Sequence, residues 1–382
     1  MRWMISLLSL TACSLLFASN TINFMPMAKN DERPFSDSVN NDPTFAAFVS
    51  DFKRSNYYLV DLELIIQEKQ ATEFRLGKSS QGRKIPAYYI PGTSNHRALV
   101  IGGVHGSELS SVEVAYNLLS MLRKGKTPYY SVVIIPSLFP DNAMRAMQMP
   151  DQIGSVSNIG RYTFSEAVDP NRQMPTPGKP YDEETRRDHV GRIIEQENQL
   201  LLELIQVFKP QRVANLHAIR DMGYGGVYAD PRTDHRGIAL GYTSDSSLAV
   251  DIAMMIHRSG GNVYGNRLSK HPTALYYKDP TPVAPGQLQK RNMTGTVLVA
   301  KRGSGVSLGT WGSTAVVDES NPSNNRDAMR ILTFEYPGYK RPQDYKTPAQ
   351  QLLQQKQVGL FAEAIAKIFL GDYYAEAVSG HR

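Results

Sequence analysis

Two short apolar segments with a helical pattern between them constrain the fold of this chain most strongly. Residues 98–101 (ALVI) form a continuous apolar run that ends in Gly102-Gly103, and residues 131–136 (SVVIIP) form a second run. Between them, residues 108–123 carry apolar side chains at helical spacing. Uninterrupted apolar runs of this length are typical of strands buried on both faces of a parallel sheet. The region therefore predicts a βαβ unit.

The same alternation continues along the chain. Strands are predicted at 84–90, 212–216 and 331–334, and helices at 194–208, 247–258 and 348–370. This order of elements predicts an α/β fold, a three-layer α/β/α sandwich with a mixed, mostly parallel central sheet. Two long irregular stretches, 144–181 and 224–310, are predicted as loops. Loops of such length in a compact domain usually build sites.

The N-terminus has the pattern of a secretory signal peptide, predicted over residues 1–19. A positive charge at Arg2 precedes an apolar run from Met4 to Ala18, which is too short for a comfortable transmembrane helix. The only cysteine is Cys13. It is either the acylated first residue of a lipoprotein, since residues 10–13 (LTAC) resemble the bacterial lipobox, or part of a longer signal cleaved near Ala18. The protein is expected to be exported, as a periplasmic protein, an outer-membrane lipoprotein or a secreted one.

The rest of the chain is predicted to hold one catalytic domain. A polar lead-in covers residues 20–56, the domain covers 57–375, and a tail covers 376–382. A single cysteine excludes an intramolecular disulfide, so the fold must rest on its core. The formal net charge is +6, but the basic residues are spread along the chain. We therefore expect no nucleic-acid partner, and contact with a membrane only through a lipid anchor at Cys13.

Three side chains with metal-binding chemistry stand where predicted strands end. His105 and Glu108 lie three residues apart between a strand and a helix, and His217 directly follows the apolar run 213–216. Ligands bind at such strand ends in open α/β sheets. Imidazole nitrogens and a carboxylate are ligands that zinc accepts, and a catalytic zinc has three protein ligands and one open position. These residues are the predicted ligands of one zinc ion per chain, although the ligand types also suit other divalent metals.

A fourth residue, Glu335, closes the strand 331–334 and precedes Pro337-Gly338. Its carboxylate is expected at the same sheet edge as the metal. Flanking Phe334 and Tyr336 would desolvate it and raise its pKa towards the working range of a general base. The pattern predicts hydrolysis by zinc-activated water with Glu335 as the base.

Taken together, these segments resemble the zinc carboxypeptidase family, the carboxypeptidase A-like funnelins, over residues 70–371. The matching segments follow the family's order along the chain: Gly77-Lys78-Ser79 through Gly82-Arg83, His105 with Glu108, Asn171-Arg172, Leu216-His217 and Thr333-Phe334-Glu335. The resemblance implies that Asn171 and Arg172 hold the terminal carboxylate of a peptide, and that Arg161 polarises the scissile carbonyl. A planar guanidinium suits the first task because it binds carboxylate bidentately.

Two parts of the family pattern differ here. The turn after the second strand is Phe139-Pro140-Asp141-Asn142, and no tyrosine lies some twenty residues before Glu335, where the family has its substrate-capping tyrosine. Trp311 is the nearest aromatic and is the predicted substitute. Tyr276 or Tyr277 would need a different loop path to reach the substrate.

The predicted function is an exported zinc metallocarboxypeptidase that removes the C-terminal residue of peptides, with cell-wall (murein) peptides as one target. The substrate partner is thus a peptide with a free C-terminal carboxylate. Two alternatives stay open. One is a zinc-dependent deacylase of the aspartoacylase or succinylglutamate desuccinylase type, and the other is a binding protein that keeps the fold without turnover.

Overall fold

The computed structural model describes residues 53–220, 222–223, 225–240, 243–263 and 305–373. The predicted signal peptide, most of the predicted lead-in, the tail 376–382, Tyr276 and Tyr277 lie outside these residues.

Within the described residues, eight strands form one sheet. They are β1 (Lys53–Tyr58), β2 (Thr72–Lys78), β3 (Lys84–Ile90), β4 (Arg97–Ile101), β5 (Ser131–Ile135), β6 (Arg212–Ile219), β7 (Gly226–Ala229) and β8 (Arg330–Pro337). The strand order is β1-β2-β3-β5-β4-β6-β8-β7. The central strands β5, β4, β6 and β8 run parallel, whereas β3 and β7 pair antiparallel with their neighbours. The predicted mixed, mostly parallel sheet is confirmed.

Helices cover both faces of the sheet. They are α1 (Leu62–Glu68), α2 (Leu109–Lys124), α3 (Pro140–Met147), α4 (Gln196–Phe208), α5 (Thr243–Arg258), α6 (Leu308–Gly312) and α7 (Pro348–Ala364), the last continuing as a π-helical turn, Ile365–Phe369. Among the described helices, none is both long and apolar enough to span a membrane.

The core is divided by the sheet into two layers. Successive residues of a strand point to opposite faces, so Val100 packs with α2, α5 and α7, and Leu99 packs with α1, α4 and α6. Both side chains are fully buried. This double burial explains why residues 98–101 of β4 and 132–135 of β5 read as unbroken apolar runs in the sequence, and it gives the predicted three layers.

The parallel strands β4, β6 and β8 are neighbours and end at one edge of the sheet. Ile101 pairs with Asn215, and His217 pairs with Glu335 two residues further along. In-register residues of adjacent strands point to the same face. This register brings residues that are far apart in sequence to one place.

Several elements lie where the sequence predicted irregular structure. Strand β1 begins at Lys53, inside the stretch interpreted as a lead-in to residue 56, and β7 lies inside the predicted loop 224–310. Helix α3 begins at Pro140, so the turn that departs from the family pattern is the first turn of a helix. Proline suits that position because its missing N–H needs no partner there.

Candidate metal centre

His105, Glu108 and His217 meet at the edge where β4, β6 and β8 end. One potential ligand atom from each lies within 4.8 Å of the others, and all three side chains are buried. Glu108 Oε1 is 2.9 Å from His105 Nδ1, and Glu108 Oε2 is 3.1 Å from His217 Nδ1. The two Nδ1 atoms face each other at 3.3 Å. The structure thus brings the three predicted ligands together.

The turn between β4 and α2 positions His105 and Glu108 in this cluster. Gly103 has φ +64°, a left-handed conformation that a side chain would strain. At Gly106, a Cβ atom would come within 2.1 Å of the Asn142 carbonyl carbon, so only glycine lets the turn approach α3 this closely. The turn therefore holds His105 and Glu108 over the end of the sheet, while the Ala218 N–H donates to Glu108 Oε2 at 3.1 Å.

The hydrogen-bonding pattern of His105 fits a metal ligand. Its Nε2 lies 2.9 Å from Asp169 Oδ1, while its Nδ1 faces Glu108. A neutral imidazole that donates from Nε2 presents a lone pair at Nδ1, and that lone pair faces a carboxylate oxygen. This contact is favourable only when a proton or a metal cation lies there. Carboxylate-to-histidine contacts of the Asp169 kind orient metal-ligating imidazoles in other proteins.

The charges in the cluster shift its pKa values in different directions. Burial lowers the pKa of His105, but the carboxylates of Glu108 and Asp169 outweigh it and raise the value to about 9. Burial lowers the pKa of His217, and its hydrogen bond to Glu108 only partly opposes this. Burial raises the pKa of Glu108, but the two histidines hold it well below its usual value. Glu108 is therefore a carboxylate, and the cluster attracts a cation.

Glu335 lies beside the cluster as a partly buried carboxyl group. Within the part of the chain that the structure describes, no hydrogen bond to its carboxylate is present. Burial and the negative charge of Glu108 raise its pKa to about 8, while His105 and Arg161 oppose the shift. A carboxyl group with this pKa can take up and release a proton near neutral pH, as the predicted general base requires.

Arg161 also lies at the cluster. Its guanidinium donates to Glu108 Oε1 at 2.9 Å and stands 4.0 Å from Asp169 Oδ2. The short turn Ile159–Arg161 that carries it is capped by Asn158, whose side chain accepts from the Gly160 N–H. Arg161 thus places a positive charge next to the three convergent ligands.

Asn171 and Arg172 lie in the turn Pro170–Arg172, which is capped by Asp169. Asn171 Oδ1 accepts from the Leu308 N–H at 3.3 Å, so its Nδ2 points towards His217 Nε2 at 3.4 Å. The Arg172 guanidinium donates to the Asn171 carbonyl. These residues join the site, whereas their predicted contacts with a substrate stay a prediction.

Trp311 is not brought to the cluster. Its side chain is 1% exposed, its indole N–H donates to the Lys179 carbonyl, and the guanidinium of Arg326 stacks on its ring at 4.5 Å. Trp311 points from α6 into the core and does not have the free face that a substrate contact needs. Of the two tyrosines considered beside it, neither lies within the described residues.

Sequence reasoning missed three residues near the site. Asp169 stands in the motif that gave Asn171 and Arg172, but its contact with His105 depends on a loop path that no local pattern encodes. Tyr339 follows Glu335 by four residues, and its raised pKa results from burial together with the charges of Glu108 and Glu335. The sequence signal that could have found it is its position shortly after β8, the strand that carries Glu335.

Asp230 is the third. Its carboxylate lies against Gly309, where a Cβ atom would come within 2.3 Å of Oδ2. Burial raises its pKa to about 6, and the charge of Arg172 opposes the shift. Its carboxylate lies within electrostatic reach of Arg172, which is expected to bind the substrate carboxylate.

No protein-family model matches the chain, and no curated protein matches it. The chain is similar to three solved structures described next. Bovine thrombin-activatable fibrinolysis inhibitor, in complex with tick carboxypeptidase inhibitor, is 12% identical with a TM-score of 0.46 over 86% of this chain and 99% of that one. A metallo-carboxypeptidase from Burkholderia cenocepacia is 12% identical with a TM-score of 0.42 over 80% and 66%. A candidate succinylglutamate desuccinylase/aspartoacylase from Shewanella frigidimarina NCIMB 400 is 13% identical with a TM-score of 0.38 over 78% and 72%.

Carboxypeptidases and deacylases, the predicted family and its alternative, thus both occur among the similar structures.

Proposed function

We propose that this protein is an exported zinc metallocarboxypeptidase that removes the C-terminal residue of peptides. The observation that carries the proposal is the convergence of His105, Glu108 and His217 beside an unpaired, partly buried Glu335. Two imidazoles and one carboxylate are a zinc-binding set that leaves a position open. Zinc held there would supply a Lewis acid for the scissile carbonyl and would lower the pKa of a water molecule.

We assign the proton transfers of this reaction to Glu335. As hydrolysis begins, its carboxylate takes a proton from the attacking water, a carbon–oxygen bond forms, and the peptide carbon–nitrogen bond breaks. The proton then passes from Glu335 to the leaving amine. The partial burial of Glu335 supports both steps, because a desolvated carboxylate takes up a proton more readily than an exposed one.

Arg161 and Arg172 supply two positive charges with separate tasks. Arg161, already bound to Glu108, is the nearer one to the ligands and is assigned to the developing oxyanion. Arg172 and Asn171 are assigned to the substrate's terminal carboxylate, which a guanidinium binds bidentately. This second charge supports a carboxypeptidase over an enzyme that cuts within a chain.

We further propose that the protein is exported and acts on cell-wall peptides. The apolar run from Met4 to Ala18 supports export. An exported carboxypeptidase would meet murein peptides, whose free C-terminal carboxylate matches the task assigned to Asn171 and Arg172.

The test uses four substrate sets: a mixed peptide library, the same library with amidated C termini, cell-wall muropeptides, and N-acylated amino acids. We expect wild-type protein to release single C-terminal residues from free peptides and not from amides, and Glu335→Gln to release none. Release of acyl groups from N-acylated amino acids alone would support the deacylase, and metal binding without turnover of any set would support the binding protein.

A further inference from the structure

Asp230 is a partly exposed carboxylate that the proposed hydrolysis does not use. It follows β7, and its N–H donates to the Ile331 carbonyl at 3.1 Å, so it continues the pairing of β7 with β8 by one residue. Side chains alternate between the two faces of a sheet. Val227 and Ala229 pack into the layer that contains Val100. Asp230 therefore lies on the opposite face.

The face that carries Asp230 also carries Glu335. Ile331 packs into the layer that contains Leu99, and Thr333 and Glu335 follow it along β8 at intervals of two residues. The side chains of Thr333 and Glu335 are both partly exposed. Starting from Glu335, the partly exposed residues Thr333 and Asp230 thus follow one another along one face of the sheet.

Helix α6 connects Asp230 to the residues assigned to the terminal carboxylate. The Leu308 N–H donates to Asn171 Oδ1 at 3.3 Å. The next residue, Gly309, lies against the Asp230 carboxylate, where a Cβ atom would come within 2.3 Å of Oδ2. The charge of Arg172 reaches Asp230 and opposes the burial that raises its pKa to about 6. A peptide whose carboxylate is held by Asn171 and Arg172 would therefore have its terminal residue close to Asp230.

The Asp230 carboxylate is not engaged by the fold. Within the part of the chain that the structure describes, no hydrogen bond or ion pair engages it, and the charge of Arg172 acts on it without direct contact. A carboxylate that is partly desolvated without a partner is costly, and a cationic group bound beside it would supply a counter-charge. An apolar group bound there would instead desolvate the carboxylate further without compensation.

The position of Asp230 along the sheet favours a long side chain. Asp230 stands at the level of Ile331, four residues before Glu335 on β8, which is about 13 Å along a strand that rises about 3.3 Å per residue. A terminal side chain that starts beside Glu335 has to be long to approach it. We propose that Asp230 binds the cationic tip of a C-terminal lysine or arginine and so selects peptides that end in these residues. This inference rests on the proposed function, in which Asn171 and Arg172 hold the terminal carboxylate.

Binding of two small ligands tests the inference without turnover. Nα-acetyl-lysine offers a carboxylate to Arg172 and an ammonium group to Asp230, whereas Nα,Nε-diacetyl-lysine keeps the carboxylate and the length but has no positive charge. We expect zinc-loaded wild-type protein to bind the first about 10- to 100-fold more tightly by calorimetry, the value of one charged hydrogen bond. Asp230→Asn should remove this difference. The control Asp372→Asn removes an exposed carboxylate near the end of the described chain and should keep it.

Hydrolysis of three peptides tests the same inference kinetically. The peptides differ only in their C-terminal residue, which is lysine, arginine or Nε-acetyl-lysine. For wild-type protein, kcat/KM for the lysine and arginine peptides should exceed that for the acetyl-lysine peptide by about 10- to 100-fold, because the acetylated residue leaves Asp230 without a counter-charge. Asp230→Asn should lose this preference, and Asp372→Asn should retain it.

The outcomes separate this inference from the proposed function. Similar kcat/KM for all three peptides, or a preference that Asp230→Asn retains, would overturn the inference and leave the carboxypeptidase in place. Binding of Nα-acetyl-lysine that depends on Asp230, without cleavage of any peptide, would support the inference and refute the proposed hydrolysis. Equal binding of the two ligands without any cleavage would overturn both. The ligand comparison uses wild-type protein, so it decides the question even if Asp230→Asn does not fold.

Discussion

Replacing Glu335 by glutamine should stabilise the metal-free protein while removing its activity. Glutamine has the shape of the protonated carboxyl group and carries no charge. Burial and the charge of Glu108 raise the pKa of Glu335 from its ordinary value of 4.5 to about 8. The folded protein therefore keeps a proton that the unfolded chain releases, and stability from this group falls as the pH rises from about 4.5 to about 8.

The magnitude follows from the size of that shift. Each pKa unit corresponds to about 1.4 kcal/mol, so the wild-type carboxylate costs about 5 kcal/mol at pH ~9 but about 1 kcal/mol or less at pH ~5. Glutamine removes this cost. The melting temperature of Glu335→Gln should therefore exceed that of wild type by on the order of 10 °C at the higher pH, and by a few degrees at most at the lower.

Thermal unfolding of chelator-treated wild type and Glu335→Gln at the two pH values measures this difference. Glu63→Gln serves as the control, because Glu63 is exposed and its substitution should shift neither curve. A gain in melting temperature that is the same at both pH values, or no gain at all, would refute the reasoning that Glu335 is a desolvated carboxyl group.

Three further predictions concern other parts of the site and the chain. Asp169→Asn should weaken metal affinity by about 10- to 100-fold, measured by competition with a chromophoric chelator, because the His105 imidazole loses the carboxylate that orients it. Arg172→Ala should lower kcat/KM for free peptides by about 10- to 100-fold, mainly through KM, and an unchanged KM would contradict its assignment to the terminal carboxylate. Cys13→Ser should abolish incorporation of labelled fatty acid if the lipobox is used, and wild type that takes up no label would identify the longer signal peptide instead.

The sheet and the ligands were predictable because both depend on burial. Strands covered on both faces are mostly apolar, so residues 98–101 of β4 and 132–135 of β5 appear in the sequence as unbroken apolar runs, and 331–334 of β8 as an apolar run with one threonine. His217 and Glu335 then stand out as polar residues that come at the ends of such runs. Parallel strands that end together bring these side chains to one edge, and the structure shows that register.

The edge strands were not predictable in the same way. Strand β7, Gly226–Ala229, is four residues long, and among the described strands it pairs with β8 alone. A segment this short does not establish a periodicity, and its pairing is set by a neighbour more than one hundred residues away in sequence. Strand β1 lies at the opposite edge in a stretch of mixed polarity.

Trp311 shows the limit of substituting one aromatic residue for another on sequence distance alone. Its position relative to Glu335 suggested a place over the substrate, but it lies in the short helix α6, and five residues establish no pattern that tells which side faces the core. The structure turns its indole into the core, towards the Lys179 carbonyl. The contact between Asp169 and His105 was hidden for the same reason, since it joins residues 64 positions apart through a loop.

Metal content tests the central claim most directly. The purified wild-type protein and the Glu335→Gln and His217→Asn variants would be dialysed against trace zinc and measured by elemental analysis, with folding checked by thermal unfolding. The account predicts about one zinc ion per chain for wild type and Glu335→Gln, and a loss of tight binding for His217→Asn. Folded wild-type protein that binds no metal, or zinc retained undiminished by His217→Asn, would contradict the assignment of His105, Glu108 and His217 as the metal centre.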